Sequence, residues 1–127
     1  METQKRLSLF IGSLLATIFL LRIYLLFSPS TNINFGKYNI HHLFIGAFFI
    51  IVLLLFFIFN IINKFTIIVA GISSASVLDE IIYLITTDGS DTAYLSAISL
   101  WGTVILTAVI LILAIVLSNL QKHKLKE

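Results

Sequence analysis

Four stretches of the chain run almost free of polar residues, at about 7–27, 40–60, 65–86 and 93–117, with short polar segments between them. Each holds about 20 residues, the helical length that crosses ~30 Å of hydrocarbon. Runs this long in lipid must be helical, because every backbone N–H and C=O has to be satisfied inside the segment. The breaks carry their own signals. FSPSTNINFGKYN holds the sole proline, Pro29, and Gly36; NIINK is a tight turn; TTDGSD leads into a helix cap expected at Asp91 or Thr92. The pattern predicts an all-α, membrane-embedded four-helix bundle: one domain over residues 1–127, four transmembrane spans and no internal repeat.

Basic residues set the expected orientation. Lys5 and Arg6 precede the first span, Lys64 separates the second from the third, and Lys122, Lys124 and Lys126 follow the fourth. The other two loops offer Lys37 against Asp88 and Asp91. Cationic flanks stay in the cytoplasm. Both termini are therefore expected inside, at a prokaryotic cytoplasmic membrane, with two short outer loops. A cleaved signal peptide over residues 1–27 is the rival, given the basic start and the small residues Ser28 and Ser30. Its apolar run of ~21 residues exceeds the usual 7–15, which favours a retained span.

Composition agrees. Of 127 residues, 59% are hydrophobic and 11% charged, with a mean hydropathy of +1.09. Soluble domains carry about 25% charged residues, so too little polar surface exists here to cover a globule in water. With no cysteine, disulfides, thiolate metal sites and cysteine nucleophiles are excluded. A net charge of +2 is too small to suggest nucleic acid, and no glycine-rich phosphate loop is present. The expected partners are membrane lipids and either further copies of the chain or a larger membrane complex.

Against that background one segment stands apart. GISSASVLDEIIYLI, residues 71–85, carries two adjacent acids, Asp79 and Glu80. Each charged acid at mid-membrane costs ~2.5–3.5 kcal/mol, whereas each Leu, Ile, Phe or Val returns ~0.3–0.6. About eleven such residues in 65–86 contribute roughly 5 kcal/mol, and two central acids cost about 6. Alone, the span is near break-even. Position relieves it, since Asp79 lies about 10 Å from the outer end of its helix at ~1.5 Å per residue. Neighbouring helices can relieve it further. At ~100° per residue, Ser73, Ser76, Asp79, Glu80, Tyr83 and Thr87 fall within about a third of the circumference. Gly71 and Ala75 run beside them with the spacing that lets helix backbones approach closely. This face is expected to look into the bundle.

The other spans offer matching edges. His41 and His42 open the second and lie ~100° apart. His42 is in phase with Asn39, Gly46 and Asn60 and is expected inward; His41 shares its side with Ile45, Phe48 and Val52 and is expected at lipid headgroups. The fourth carries Thr92, Ser96, Ser99, Thr103 and Thr107 on a stripe about 80° wide, opposite Trp101. The first has Ser13, Thr17 and Tyr24 on one side, beside Gly12 and Ala16. The hydroxyls have a plain alternative use, bonding their own backbone or gluing helices together. Arg22 has two possible destinations, a lipid phosphate reached by snorkelling or the acids Asp79 and Glu80.

HHLFIG opening one helix, and a small-residue run into LDEIIYLI on the next, resemble a scattered group of small prokaryotic membrane proteins without a characterised activity. In that group a His-containing motif followed by Gly precedes a glycine-rich span ending in Asp-Glu. The resemblance covers residues 41–85 and rests on His41, His42, Gly46, Gly71, Asp79 and Glu80, while Ser73, Ser74 and Ser76 stand where more glycine is expected. It implies a shared site and carries no chemistry.

Two carboxylates and an imidazole in a polar pocket suit a cation. His42, Asp79 and Glu80 are the expected binding residues for a divalent metal ion or a relayed proton. His41, Arg22, Tyr83, Ser76, Ser96 and Ser99 would support them, and Asp88 or Asp91 is a further ligand from the loop. A lipid- or headgroup-acting hydrolase using the same site is one alternative. A structural or assembly subunit of a membrane complex is another. A pore would need polar lining throughout, and between His42 and Asn60 the second span is Phe and Leu.

Overall fold

A computed structural model of the chain describes residues 2–28, 34–35 and 38–124, without the side chains of 34, 35, 38, 39, 91, 92, 123 and 124. Pro29, Gly36, Lys37 and Lys126, together with the side chains of Asn39, Asp91, Thr92 and Lys124, lie outside the described residues. The described residues form four long helices: α1 (Thr3–Phe27), α2 (His42–Ile58), α3 (Lys64–Thr86) and α5 (Ala97–Lys124). A single turn, α4 (Asp91–Tyr94), precedes α5. In the first loop β1 (Asn34–Phe35) and β2 (Tyr38–Asn39) form a two-residue antiparallel ladder, with Asn34 opposite Asn39.

α1, α3 and α5 are long and apolar enough to cross a membrane; α2, at 17 residues, is shorter than the expected 40–60. Its start is set by His41, whose backbone is extended. Its end is a Schellman motif, in which Ile61 N donates to Phe56 O at 2.8 Å and Asn60 N to Phe57 O at 3.0 Å. Asn60 takes the left-handed φ of 57° that this ending requires. Three residues on, Asn63 opens α3 with a capping box, its Oδ1 accepting from Thr66 N while Thr66 Oγ1 accepts from Asn63 N, both at 3.0 Å. The fourth long helix begins at Ala97 rather than 93 and runs beyond 117 to Lys124. The chain pauses at Leu95–Ser96 because the Tyr94 carbonyl accepts from Arg22 Nη1, and Ser96 Oγ restarts the helix by accepting from Ser99 N at 3.3 Å.

The helices alternate in direction. Ser13 meets Gly71 and Arg22 meets Asp79, so α1 runs parallel to α3. Leu43 meets Glu80 and Gly46 meets Ser73, so α2 runs against it, as does α5 through Thr103 on Asp79. Thr3 Oγ1 donates to Gln121 Oε1 at 3.3 Å, which puts the start of α1 and the end of α5 together.

α3 is the hub. It packs against α1, α2, α4 and α5, whereas among the described helices the backbone of α2 comes close to α3 alone, with His42 reaching the Tyr94 ring of α4 through its side chain. The reason is its small residues. A Cβ added at Gly71 would lie 2.6 Å from Phe10 O of α1, and one at Gly46 would lie 2.6 Å from Ser73 O of α3. Both backbones approach more closely than a side chain allows. On α1 the inward edge is rotated from the expected one. Leu14 is fully buried, whereas Gly12, Ala16 and Tyr24 are exposed. Leu14, Ile18 and Arg22 lie four apart on the edge that meets α3, and Ser13 and Thr17 border it, half-buried.

The interior is more polar than the surface. Asp79, Glu80, Ser99, Thr103, Thr66 and Ser73 are all buried, while Phe19, Phe48, Ile51, Trp101 and Ile112 are exposed. This inverts the arrangement of a protein folded in water.

Candidate functional site

The buried acids lie at the end of the molecule where α1 and α3 finish and α2 and α5 begin. As neighbours on α3 they point ~100° apart, and each meets a different set of helices. Asp79, wholly buried, faces α1, α4 and α5, with His42 of α2 at its edge. Its Oδ1 accepts from Arg22 Nε at 2.6 Å, and its Oδ2 accepts from the Tyr94 hydroxyl. Glu80 faces α2. Its Oε1 lies 2.5 Å from His41 Nδ1, and its Oε2 accepts from Leu43 N at 2.8 Å. That last contact caps α2 from another helix, and a carboxylate there is favoured by the positive end of the helix dipole.

Arg22 resolves its two possible destinations in favour of the acid. Besides Asp79 Oδ1, its guanidinium donates to Tyr94 O at 3.0 Å, Asp79 O at 3.0 Å, Ser99 Oγ at 3.1 Å and Thr103 Oγ1 at 2.8 Å. The Tyr94 ring lies 4.4 Å from its central carbon, a cation–π contact. Such a pair is tolerated away from water because nearly every donor has an acceptor.

His42 stands between the acids. Its Nε2 is 3.3 Å from Asp79 Oδ2 and its Nδ1 is 3.3 Å from Glu80 Oε2. Nε2 is buried and off the line a hydrogen bond requires, so that nitrogen has no hydrogen-bond partner. The expected inward turn of His42 is therefore present. His41 differs from its expected place at the headgroups, since it turns inward onto Glu80. It precedes α2 in extended conformation, so the phase of that helix does not govern its side chain.

The supporting residues divide. Tyr83 walls the site, its ring 5.3 Å from that of Tyr94 and 6.2 Å from that of His41, and its hydroxyl donates to Gly89 O at 2.5 Å. Ser99 belongs to the Arg22 cradle. Ser76 donates to its own helix at Ile72 O, 3.1 Å, and touches neither acid. Ser96 is spent on the start of α5. Asp88 accepts from Ser90 Oγ at 2.8 Å and Ser90 N at 3.1 Å, so its carboxylate serves the loop and not the site. Ser90's hydroxyl and amide hold Asp88 below the usual carboxylate range.

Two participants had escaped the sequence reading. Tyr94 belongs to a one-turn helix after a loop, and Leu43 contributes a backbone N–H that no side-chain pattern reveals. Among the described residues no group of three or more His, Asp or Glu is placed to hold a metal ion. The reason is visible at Asp79, where Arg22 and Tyr94 each take one carboxylate oxygen.

No protein-family model, curated protein or solved structure matches the chain.

Proposed function

We propose that this chain is a four-span protein of a prokaryotic cytoplasmic membrane, with both termini inside, that binds and relays a proton in the outer half of the bilayer. Three helices of sufficient length and apolarity support the membrane placement. α2 contributes about 25 Å of helix, and the apolar residues Phe59, Ile61 and Ile62 after it extend its reach. The contact between Thr3 and Gln121 supports one side for both ends, and Lys5, Arg6, Lys64 and Lys122 support the cytoplasm as that side.

The observation that carries the proton reading is His42, 3.3 Å from a carboxylate oxygen of each acid. His41, Glu80 and His42 thus stand in sequence as groups able to exchange protons, with Asp79 beside the far nitrogen of His42. Charge counting assigns the roles. Arg22 offsets one of the two carboxylates and leaves one negative charge over. A single proton shared among His41, His42 and Glu80 brings the cluster to neutrality, the state that low-dielectric surroundings favour. Arg22 and Asp79 are then the fixed, structural half, and the two histidines with Glu80 are the exchangeable half. Imidazole suits that role because one ring nitrogen can take a proton while the other gives one up. Of the two cations a carboxylate–histidine site could take, the proton fits, because a metal ion would have to displace a guanidinium from Asp79.

Infrared difference spectra after a pH step, on the full chain in detergent, test this reading. Carboxyl and imidazole bands that appear together in wild type and collapse in Glu80→Gln and His42→Ala are the expected result. Identical spectra for wild type and both variants would overturn it.

A further inference from the structure

At the opposite end of the molecule a cleft of roughly 330 Å³ opens between α1, α3 and α5, with Phe57 of α2 at its side. Its lining is mostly apolar, with Phe10, Ile67, Ala70 and Leu117, and its polar members include Arg6, Thr3 and Gln121. Apolar walls with a few convergent polar groups are the usual make-up of a small-molecule site. A second observation points to a ligand. Ser118 lines the cleft at 6% exposure, and its hydroxyl has no hydrogen-bond partner. A buried hydroxyl left open is unfavourable unless something polar meets it.

Depth and charge identify the occupant. Ser118 lies about 31 Å along α5 from Ala97, close to the ~30 Å thickness of the hydrocarbon, and so falls where lipid esters begin. Lys5, Arg6, Lys64 and Lys122 gather at this end, against Glu2 as the acid described there. Basic pockets between membrane helices on the cytoplasmic side take anionic headgroups. We propose that this cleft binds one anionic glycerophospholipid. An acyl chain lies between Phe10 and Leu117, an ester or phosphate oxygen accepts from the Ser118 hydroxyl, and the phosphate rests against Arg6. The apolar walls exclude free phosphate as the ligand. The inference rests on the membrane-spanning reading and is independent of the proton relay.

The test uses the full chain purified from membranes in mild detergent. Phosphatidylglycerol and phosphatidylcholine with identical acyl chains are added in equal amounts, and bound lipid is read by native mass spectrometry. Wild type is expected to retain one phosphatidylglycerol with a preference of about fivefold, the worth of one basic contact. Arg6→Gln keeps a bound lipid and loses the preference. Ala114→Phe, which fills the cleft from α5, loses the lipid. Equal retention of both lipids by wild type overturns the proposal, as does undiminished preference in Arg6→Gln, even where Ala114→Phe does not fold. Recovery of the chain outside the membrane fraction would instead overturn the spanning reading itself.

Discussion

Arg22 and Asp79, 57 positions apart in sequence, meet at 2.6 Å with Asp79 wholly buried and the arginine side chain 11% exposed. Removing one member of such a pair leaves the other charged and unmatched, which costs ~3–5 kcal/mol, whereas removing both charges costs far less. Arg22→Leu should therefore lower the unfolding midpoint in detergent severely, and Arg22→Leu/Asp79→Asn should recover most of the loss. Asparagine still accepts from the Tyr94 hydroxyl. Additive losses in the double variant would show that the pair is not a unit.

Gly71 sets how closely α1 and α3 approach. A Cβ there would lie 2.6 Å from the Phe10 carbonyl and still closer to the Ser13 hydroxyl. Backbone cannot swing away as a side chain can, so Gly71→Val should destabilise the pair by at least the ~1–3 kcal/mol typical of overpacking. The chain has no cysteine, which makes crosslinking clean. Thr3→Cys/Gln121→Cys should be bridged efficiently by a short bifunctional maleimide, which spans the length of the lost glutamine side chain, and adding Gly71→Val should suppress the crosslink as α1 shifts. Equal crosslinking in both backgrounds would contradict the packing described.

Asp88 gives a pH-dependent term outside the helices. Ser90's hydroxyl and amide favour the ionised carboxylate and lower its proton affinity in the folded loop. Its contribution is complete above the unfolded value, about 3.9, and is lost as pH falls through the lower folded value. In Ser90→Ala the Asp88 titration should move upward, toward the ordinary carboxylate range, as followed by the NMR shift of its side-chain carboxyl carbon. An unmoved titration would detach Asp88 from Ser90.

The orientation proposed here is open to labelling. Single cysteines replacing Gln4 and Asp88, both exposed, lie on opposite ends of the helices. In intact cells a membrane-impermeant maleimide should label position 88 and spare position 4 until the membrane is permeabilised. The reverse pattern would invert the topology, and labelling of both would exclude a membrane between them.

The sequence was informative where helical phase operates and silent where it does not. Asp79 and Glu80 diverge on α3 as ~100° per residue requires. Gly71, Ala75, Ser99 and Thr103 also fall on contact faces for that reason. His41 escaped because a residue before the first turn is not bound by the turn's period. Tyr94 escaped because a one-turn helix after a loop leaves no pattern to read. The inward edge of α1 was misjudged for another reason. In oil an apolar side chain is equally at home inside or outside, so Leu14 carries no directional signal, and the small residues Gly12 and Ala16 pointed the wrong way.

The packing of the α2 backbone on α3 alone bears on how the chain is made. On the membrane-spanning reading α1 and α2 are delivered to the bilayer first, and their backbones do not pack against each other. Until Lys64–Thr86 emerges, Arg22 waits without its counter-ion and the histidines without theirs. The third segment is thus the keystone of biogenesis. Chains stalled before it hold two unattached helices, the kind of orphan that membrane quality-control proteases remove.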